Sequence, residues 1–313
     1  MTNTRAEAFA PASMGNVGVG FDILGLAFAE PGDVVIAEWR DEPGAILIDI
    51  EGDNGKLPRE PEKNVATVAA NALLEQLGIK KGVALTLKKG LPLASGLGSS
   101  ASSSVAAVVA VNALLGEPLS REELLPACLE GEALVSGYHA DNVGPCLLGG
   151  ITLITGTEIS SIRRLPVPED LHFALVTPDI EVPTSEARDV LPEHITLKQM
   201  VAQTGAVARL VDSLHCGELK IAAKVMELDG IIEPARAHLM PLLDEIRFAA
   251  KRAGALGLVI SGAGPTLCAV CDSENTAQKV AHTMKSTYEA DNIAAVARAT
   301  TISATGAKIL SLS

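Results

Sequence analysis

Aromatic side chains are scarce in this 313-residue chain, with five Phe, two Tyr and one Trp making 3% of it. At 48% hydrophobic residues and 28 Gly, the interior must be packed from small aliphatic groups, and a disordered chain is excluded. Basic residues are also in deficit. Lys and Arg number 25 against 38 Asp and Glu, a formal charge of -13, so no basic face is on offer to a nucleic acid. An anionic small molecule would have to be met by locally arranged donors. Neither an apolar leader in Met1 to Ala8 nor a run of about 18 apolar residues is present, so the expected setting is the cytoplasm. Cysteines at 128, 146, 216, 268 and 271 are odd in number and scattered, unlike a disulfide framework. Cys268 and Cys271 form a C-x-x-C inside an apolar run with no second pair, which argues against a zinc site.

The stretch Leu91 to Leu115 organises the rest. It reads Leu-Pro-Leu-Ala-Ser-Gly-Leu-Gly-Ser-Ser-Ala and runs on through small apolar residues, a glycine loop opening a helix. Gly96 and Gly98 permit sharp turns, and Ser99, Ser100 or Ser102 is expected to cap the helix. Free N–H groups and the helix dipole make such a start an anion site. Upstream, residues 9 to 30 space Asn16 and Asp22 among glycines, as a loop that presents polar groups would. Val34 to Arg40 and Ala45 to Glu51, parted by Asp-Glu-Pro-Gly, read as an antiparallel hairpin. Asn64 starts a helix to Leu77, and Val83 to Leu87 is a strand feeding the glycine loop. A helix over Arg121 to Leu134 is expected, capped by Ser120 with Glu123, and then a polar turn, Ser136 to Pro145, holding His139-Ala-Asp-Asn.

Pro166 and Pro168 mark the crossing into a second lobe, with the boundary near 155, giving units 1–155 and 156–313. Strands are expected at Phe173 to Thr177, Leu256 to Ser261, Leu267 to Cys271 and Ala294 to Ala297. Helices are expected at Leu197 to Leu214, Leu219 to Met226, Leu242 to Ala253 and Asn275 to Glu289. The fold class is α+β in two lobes.

Three phosphate loops compete. A Walker A loop needs a lysine after its second glycine, and none follows Gly96 or Gly98. Gly96-Leu-Gly-Ser-Ser-Ala matches G-x-G-x-x-A, the dinucleotide fingerprint of nicotinamide oxidoreductases. However, Pro92 separates it from its strand and Glu117 lies in a turn rather than at a strand end. The third reading uses more of the chain. Pro92 to Ala101, Ala10 to Gly25 and Ser261-Gly-Ala-Gly-Pro-Thr266 together resemble the three motifs of the GHMP kinases, named for galactokinase, homoserine kinase, mevalonate kinase and phosphomevalonate kinase. Asn16 to Gly25 and His139-Ala-Asp-Asn142 are similar to the forms found in its homoserine-phosphorylating branch, with Ala140 where that branch has proline.

The resemblance implies an ATP-binding N-terminal lobe with a mixed sheet, a ferredoxin-like C-terminal α/β sandwich lobe, ATP with Mg²⁺, L-homoserine as acceptor and a homodimer. It implies that Pro92, Leu93, Ala94, Ser95, Gly96, Leu97, Gly98, Ser99 and Ser100 wrap the phosphates, that Asn64 meets adenine, and that Ser100 and Glu130 hold the metal. A zwitterion with a distal hydroxyl needs a cation for its carboxylate and an acid for its ammonium. Arg188 and Arg236 match the first role and Asp141 the second. Asp22 and Asn142 are implied at the hydroxyl, with Asn16, His139, Thr184 and Gly262 around it. Which of Asp141 and Asn142 faces the hydroxyl is open; an Asn there leaves positioning and charge stabilisation to carry catalysis. Taken one at a time, these are ordinary surface residues. A mevalonate-type acceptor, an oxidoreductase and a non-catalytic nucleotide sensor remain as rivals.

Overall fold

The computed structural model describes residues 3–313 as two sheets with helices packed around them. The first half runs β1 (Arg5–Gly15), β2 (Leu24–Arg40), β3 (Ala45–Glu51), α1 (Val65–Gln76), β4 (Gly82–Lys88), α2 (Ser99–Leu114), α3 (Leu125–Ala133), α4 (Ala140–Leu148), β5 (Ile151–Ile154) and β6 (Ile162–Leu165). The second runs β7 (His172–Pro178), α5 (Thr184–Asp189), α6 (Leu197–His215), α7 (Leu219–Met226), α8 (Ile232–Arg236), α9 (Leu243–Ala253), β8 (Gly257–Ile260), β9 (Leu267–Cys271), α10 (Glu274–Ala290), β10 (Ala295–Thr301) and β11 (Lys308–Leu312).

The larger sheet is mixed, in the order β11-β1-β2-β4-β3, with β5 on β2 and β6 on β5. The expected hairpin of β2 and β3 does not form. β4 lies between them, antiparallel to β2 and parallel to β3, so β3-α1-β4 is a crossover unit. The turn at 41–44 wraps the start of β4 instead: Val83 N donates to Gly44 O at 3.0 Å, and Gly82 sits where a Cβ would strike Glu42 O. The smaller sheet is antiparallel in the order β10-β7-β9-β8, which with its two crossover segments is the ferredoxin-like arrangement.

Helix α2 is the axis of the first lobe. Every residue from Ala101 to Leu114 is buried, as a helix apolar on all sides requires, and its Ala and Ser side chains admit neighbours closely. The lobes are not separate bodies. Met14, Leu24 and Phe28 from the first sheet share one core with Phe173, Leu175 and Cys268 from the second, and the rings of Phe28 and Phe173 meet edge to face at 5.4 Å. Hydrogen bonding also ignores the boundary near 155, because β6 and β11 both belong to the larger sheet. Cys268 and Cys271 lie on opposite faces of β9, in different cores, and burial pushes the Cys271 thiol up to about 12.

Candidate active site

Three loops far apart in sequence are bonded to one another at the junction of the lobes. Ser13 N donates to Leu97 O at 3.1 Å, Asn16 Nδ2 to Gly262 O at 3.0 Å, and Ser261 Oγ to Gly96 O at 2.7 Å. Gly96 (φ 76°) and Gly98 (φ 61°) take left-handed conformations, and a Cβ on either would collide, with Ser261 O and with Ser13 Oγ respectively. The glycines of the central loop are thus required by the other two. Gly98 is the N-cap of α2, and no side-chain hydrogen bond caps the helix. The expected serine cap is therefore absent, and the first-turn N–H groups face the cleft beside Ser99 and Ser100.

That cleft, about 360 Å³, opens between the lobes. Ala94, Ser95, Gly96, Gly98, Ser99 and Ser100 line one side. Asn16, Asp22, His139, Asp141, Asn142, Thr184, Arg188, Arg236 and Gly262 line the other, so every residue expected at the acceptor stands in it. His139 to Asn142 is not a turn, however: it is the N-cap and first turn of α4. Thr184 and Arg188 ride on α5, a short helix that starts directly after Pro183.

Four expected residues fall outside. Glu130 is exposed, accepts from Tyr138 Oη at 2.9 Å and faces a different groove, between α1 and α3. Two residues on, Glu132 is the buried acid that looks into the cleft; it accepts from Ser136 Oγ, and its Oε2 has no partner. The rotation per residue explains the exchange, since α3 buries Leu125, Cys128 and Glu132 on one face while Glu130 points away. An acid at an apolar helical position was the signal in the sequence. Asn64 is the N-cap of α1, accepting from Ala66 N at 3.0 Å, and donates to Pro58 O in the loop before it at 2.9 Å; it does not line the cleft, whereas Leu57 and Val65 do. Pro92 and Leu97 lie behind the loop, Pro92 exposed in a neighbouring groove and Leu97 in the shared core.

Sequence reasoning also passed over Lys89 and Asp33, a fully buried ion pair beneath the start of α2. Lys89 Nζ donates to Asp33, to Ser99 Oγ at 2.7 Å and to Ser103 Oγ at 2.9 Å. Asp33 Oδ1 accepts from Gly90 N and Leu91 N. The pair ties the loop and the helix start to β2.

Electrostatically the acceptor side is divided. Arg188 forks onto Asp22, with contacts of 2.9 and 3.2 Å. Arg236, 3% exposed, donates to Ala187 O at 2.8 Å and Gly262 O at 3.1 Å. Burial, reinforced by the charges of Asp22 and Glu132, raises the Asp141 carboxyl to about 7. Burial likewise raises Glu132, and burial together with Arg188 lowers His139. The fit to a divalent ion is good: an unpartnered, buried carboxylate oxygen and the Ser100 hydroxyl are hard donors of the kind magnesium takes.

A helix start suited to phosphate, a buried acid suited to a metal and a separate polar pocket, on a mixed sheet joined to a ferredoxin-like lobe, are the features of a small-molecule kinase. Models of the GHMP kinase N-terminal and C-terminal domains match residues 64–150 and 210–290, and the chain belongs to the GHMP kinase family. Within it, the similarity is to homoserine kinases. The homoserine kinase of Chloroherpeton thalassium is 42% identical over 91% of this chain and 92% of its own, and that of Arabidopsis thaliana 41% over 97% and 84%. The crystal structure of the Cytophaga hutchinsonii homoserine kinase superposes with a TM-score of 0.95 at 42% identity, covering 99% of this chain and 98% of that one. The chain is thus not an oxidoreductase, and β4, antiparallel to one neighbour, is not the first strand of a doubly wound sheet.

Proposed function

We propose that this protein transfers the γ-phosphoryl group of ATP to the side-chain hydroxyl of L-homoserine, forming O-phospho-L-homoserine in threonine biosynthesis. The observation that carries the substrate is the placing of two arginines and one buried acid, Asp141, in the same cleft as the phosphate-accepting helix start. A carboxylate needs the first and an ammonium the second. Mevalonate has no ammonium and would leave Asp141 without a partner. The phosphates lie against the backbone of Ala94 to Ser100 and the first turn of α2. Glu132 and Ser100 hold Mg²⁺, which neutralises phosphate charge when bound.

Asp22 is engaged by Arg188 and Asp141 is reserved for the ammonium, so neither is free to serve as a dedicated base. Asn142 Oδ1 accepts from Ser13 Oγ at 3.0 Å, which turns its amide N–H toward donating to the acceptor oxygen. Catalysis then rests on alignment and on charge stabilisation: as the homoserine oxygen bonds to the γ-phosphorus and ADP departs, the hydroxyl proton passes to an oxygen of the transferred phosphoryl group. We further propose a cytoplasmic homodimer, as the family resemblance implies. The deciding experiment follows ADP release with ATP and Mg²⁺ against homoserine, mevalonate, galactose and shikimate. Turnover with homoserine alone is expected, and its absence would sink the reading. Tight ATP binding without turnover on any acceptor would favour a sensor.

A further inference from the structure

An aromatic ring stands in the cleft wall between charged groups. Phe21 has the guanidinium carbon of Arg188 at 5.6 Å and that of Arg236 at 5.4 Å from its ring centre, both inside the range of a cation–π contact. We propose that Phe21 is a positioning residue that sets specificity for the acceptor's carboxylate by holding both guanidinium groups where one carboxylate can engage them. The inference rests on the homoserine reading and adds to it a residue outside the glycine loop and the pair Ser100 and Glu132.

Two like charges in one small pocket repel, and the carboxylate that offsets this, Asp22, pairs with Arg188. Among the described residues Arg236 makes no ion pair, and it is anchored on two backbone carbonyls. Arg188 leans on Asp22, while its Nε is buried without a partner. The negative face of a ring attracts both cations without consuming a hydrogen-bond donor, so the N–H groups not already given to Asp22, Ala187 O and Gly262 O stay free for a ligand. The ring itself is fixed by its loop. Asn16 (φ 72°), Val17 (φ 44°) and Asp22 (φ 58°) all adopt left-handed conformations. Asn16 holds the loop closed, accepting from Asp22 N at 3.0 Å and donating to Gly262 O. Leucine at 21 would fill comparable space and offer no such face.

The test replaces Phe21 with mono-, di- and trifluorinated phenylalanine, which keeps the ring's shape while draining its negative face, and with leucine. Two readouts are followed: KM for homoserine and for ATP, and, in protein without substrate, exchange of the Arg236 Nε–H with water by NMR. Homoserine KM is expected to climb with each fluorine to about 10-fold for the trifluoro ring and for Phe21→Leu. ATP KM and melting temperature stay unchanged, and Arg236 exchange accelerates along the same series. A homoserine KM and an exchange rate both flat across the fluorinated rings would overturn the inference and leave Phe21 as packing. A parallel rise in ATP KM would also overturn it, as a general collapse of the cleft. If unmodified protein fails to turn over homoserine, the functional reading falls, and the exchange series still decides whether the ring holds the arginines.

Discussion

Asp141 has opposite preferences before and after substrate arrives. Its carboxyl is raised to about 7, chiefly by burial, against an ordinary value of 3.8. Between those two pH values the folded chain keeps a proton that the unfolded chain releases, so stability falls as pH rises through that window and is fully present only below it. Asp141→Asn is expected to flatten this dependence and to raise the melting temperature at pH 7.5, measured by a thermal melt without ligand. An ammonium ligand reverses the preference. Homoserine binding should expel the proton, so its KM falls as pH rises through 7, and Asp141→Asn should lose affinity by 10-fold or more, as expected for a charged hydrogen bond. Glu132 and Glu130 make a second pair at this scale. Glu132→Gln is expected to lower kcat at least 100-fold and to raise the Mg²⁺ concentration needed for half-maximal rate, read from a magnesium titration. Glu130→Gln on the outer face should stay within about 2-fold of the parent.

The phosphate role proposed for the start of α2 depends on its being anchored from below. Removing the anchor with Lys89→Met strands the Asp33 charge in the interior and should cost about 3 kcal/mol in urea unfolding at pH 7. Asp33→Asn in the same chain should return much of the loss, since the neutral amide keeps its oxygen on Gly90 N and Leu91 N and its N–H can donate to Ser103 Oγ, which turns to accept. Elements of this kind differ in how far sequence reveals them. The strand, loop and helix from Gly82 to Leu114 were legible because glycines, small residues and a long apolar run each leave a pattern. Lys89 and Asp33 were not, since each looks like any surface charge until the sheet brings 33 and 89 together. The β2–β3 connection misled because a four-residue turn fits a hairpin as well as a strand pair parted by a third. Glu132 was legible in principle from its place on the apolar face of α3, whereas the residues expected at the acceptor came from the resemblance and not from periodicity.

At the scale of the molecule, the shared core around Phe28 and Phe173 makes the cleft a fixed seam rather than a hinge between free lobes. The larger sheet closes late in the chain, with β11 pairing along β1 from Ala6–Leu312 to Phe9–Lys308 and Arg121 donating to the carbonyls of Thr305 and Ala307. Deleting residues 307–313 should lower stability by on the order of 3 kcal/mol, from a handful of ladder hydrogen bonds at about 0.5–1.5 each, and should expose β1 as an unpaired edge. Thermal melts would report the first effect and light scattering on standing the second. A chain growing from its N-terminus meets the same condition on every round of synthesis. β1, and the loop of Asn16 to Asp22 that follows it, must wait with an open side until residues 308–312 are made. An early strand is therefore finished by a late one, and the interval before β11 arrives leaves β1 open to association with other chains.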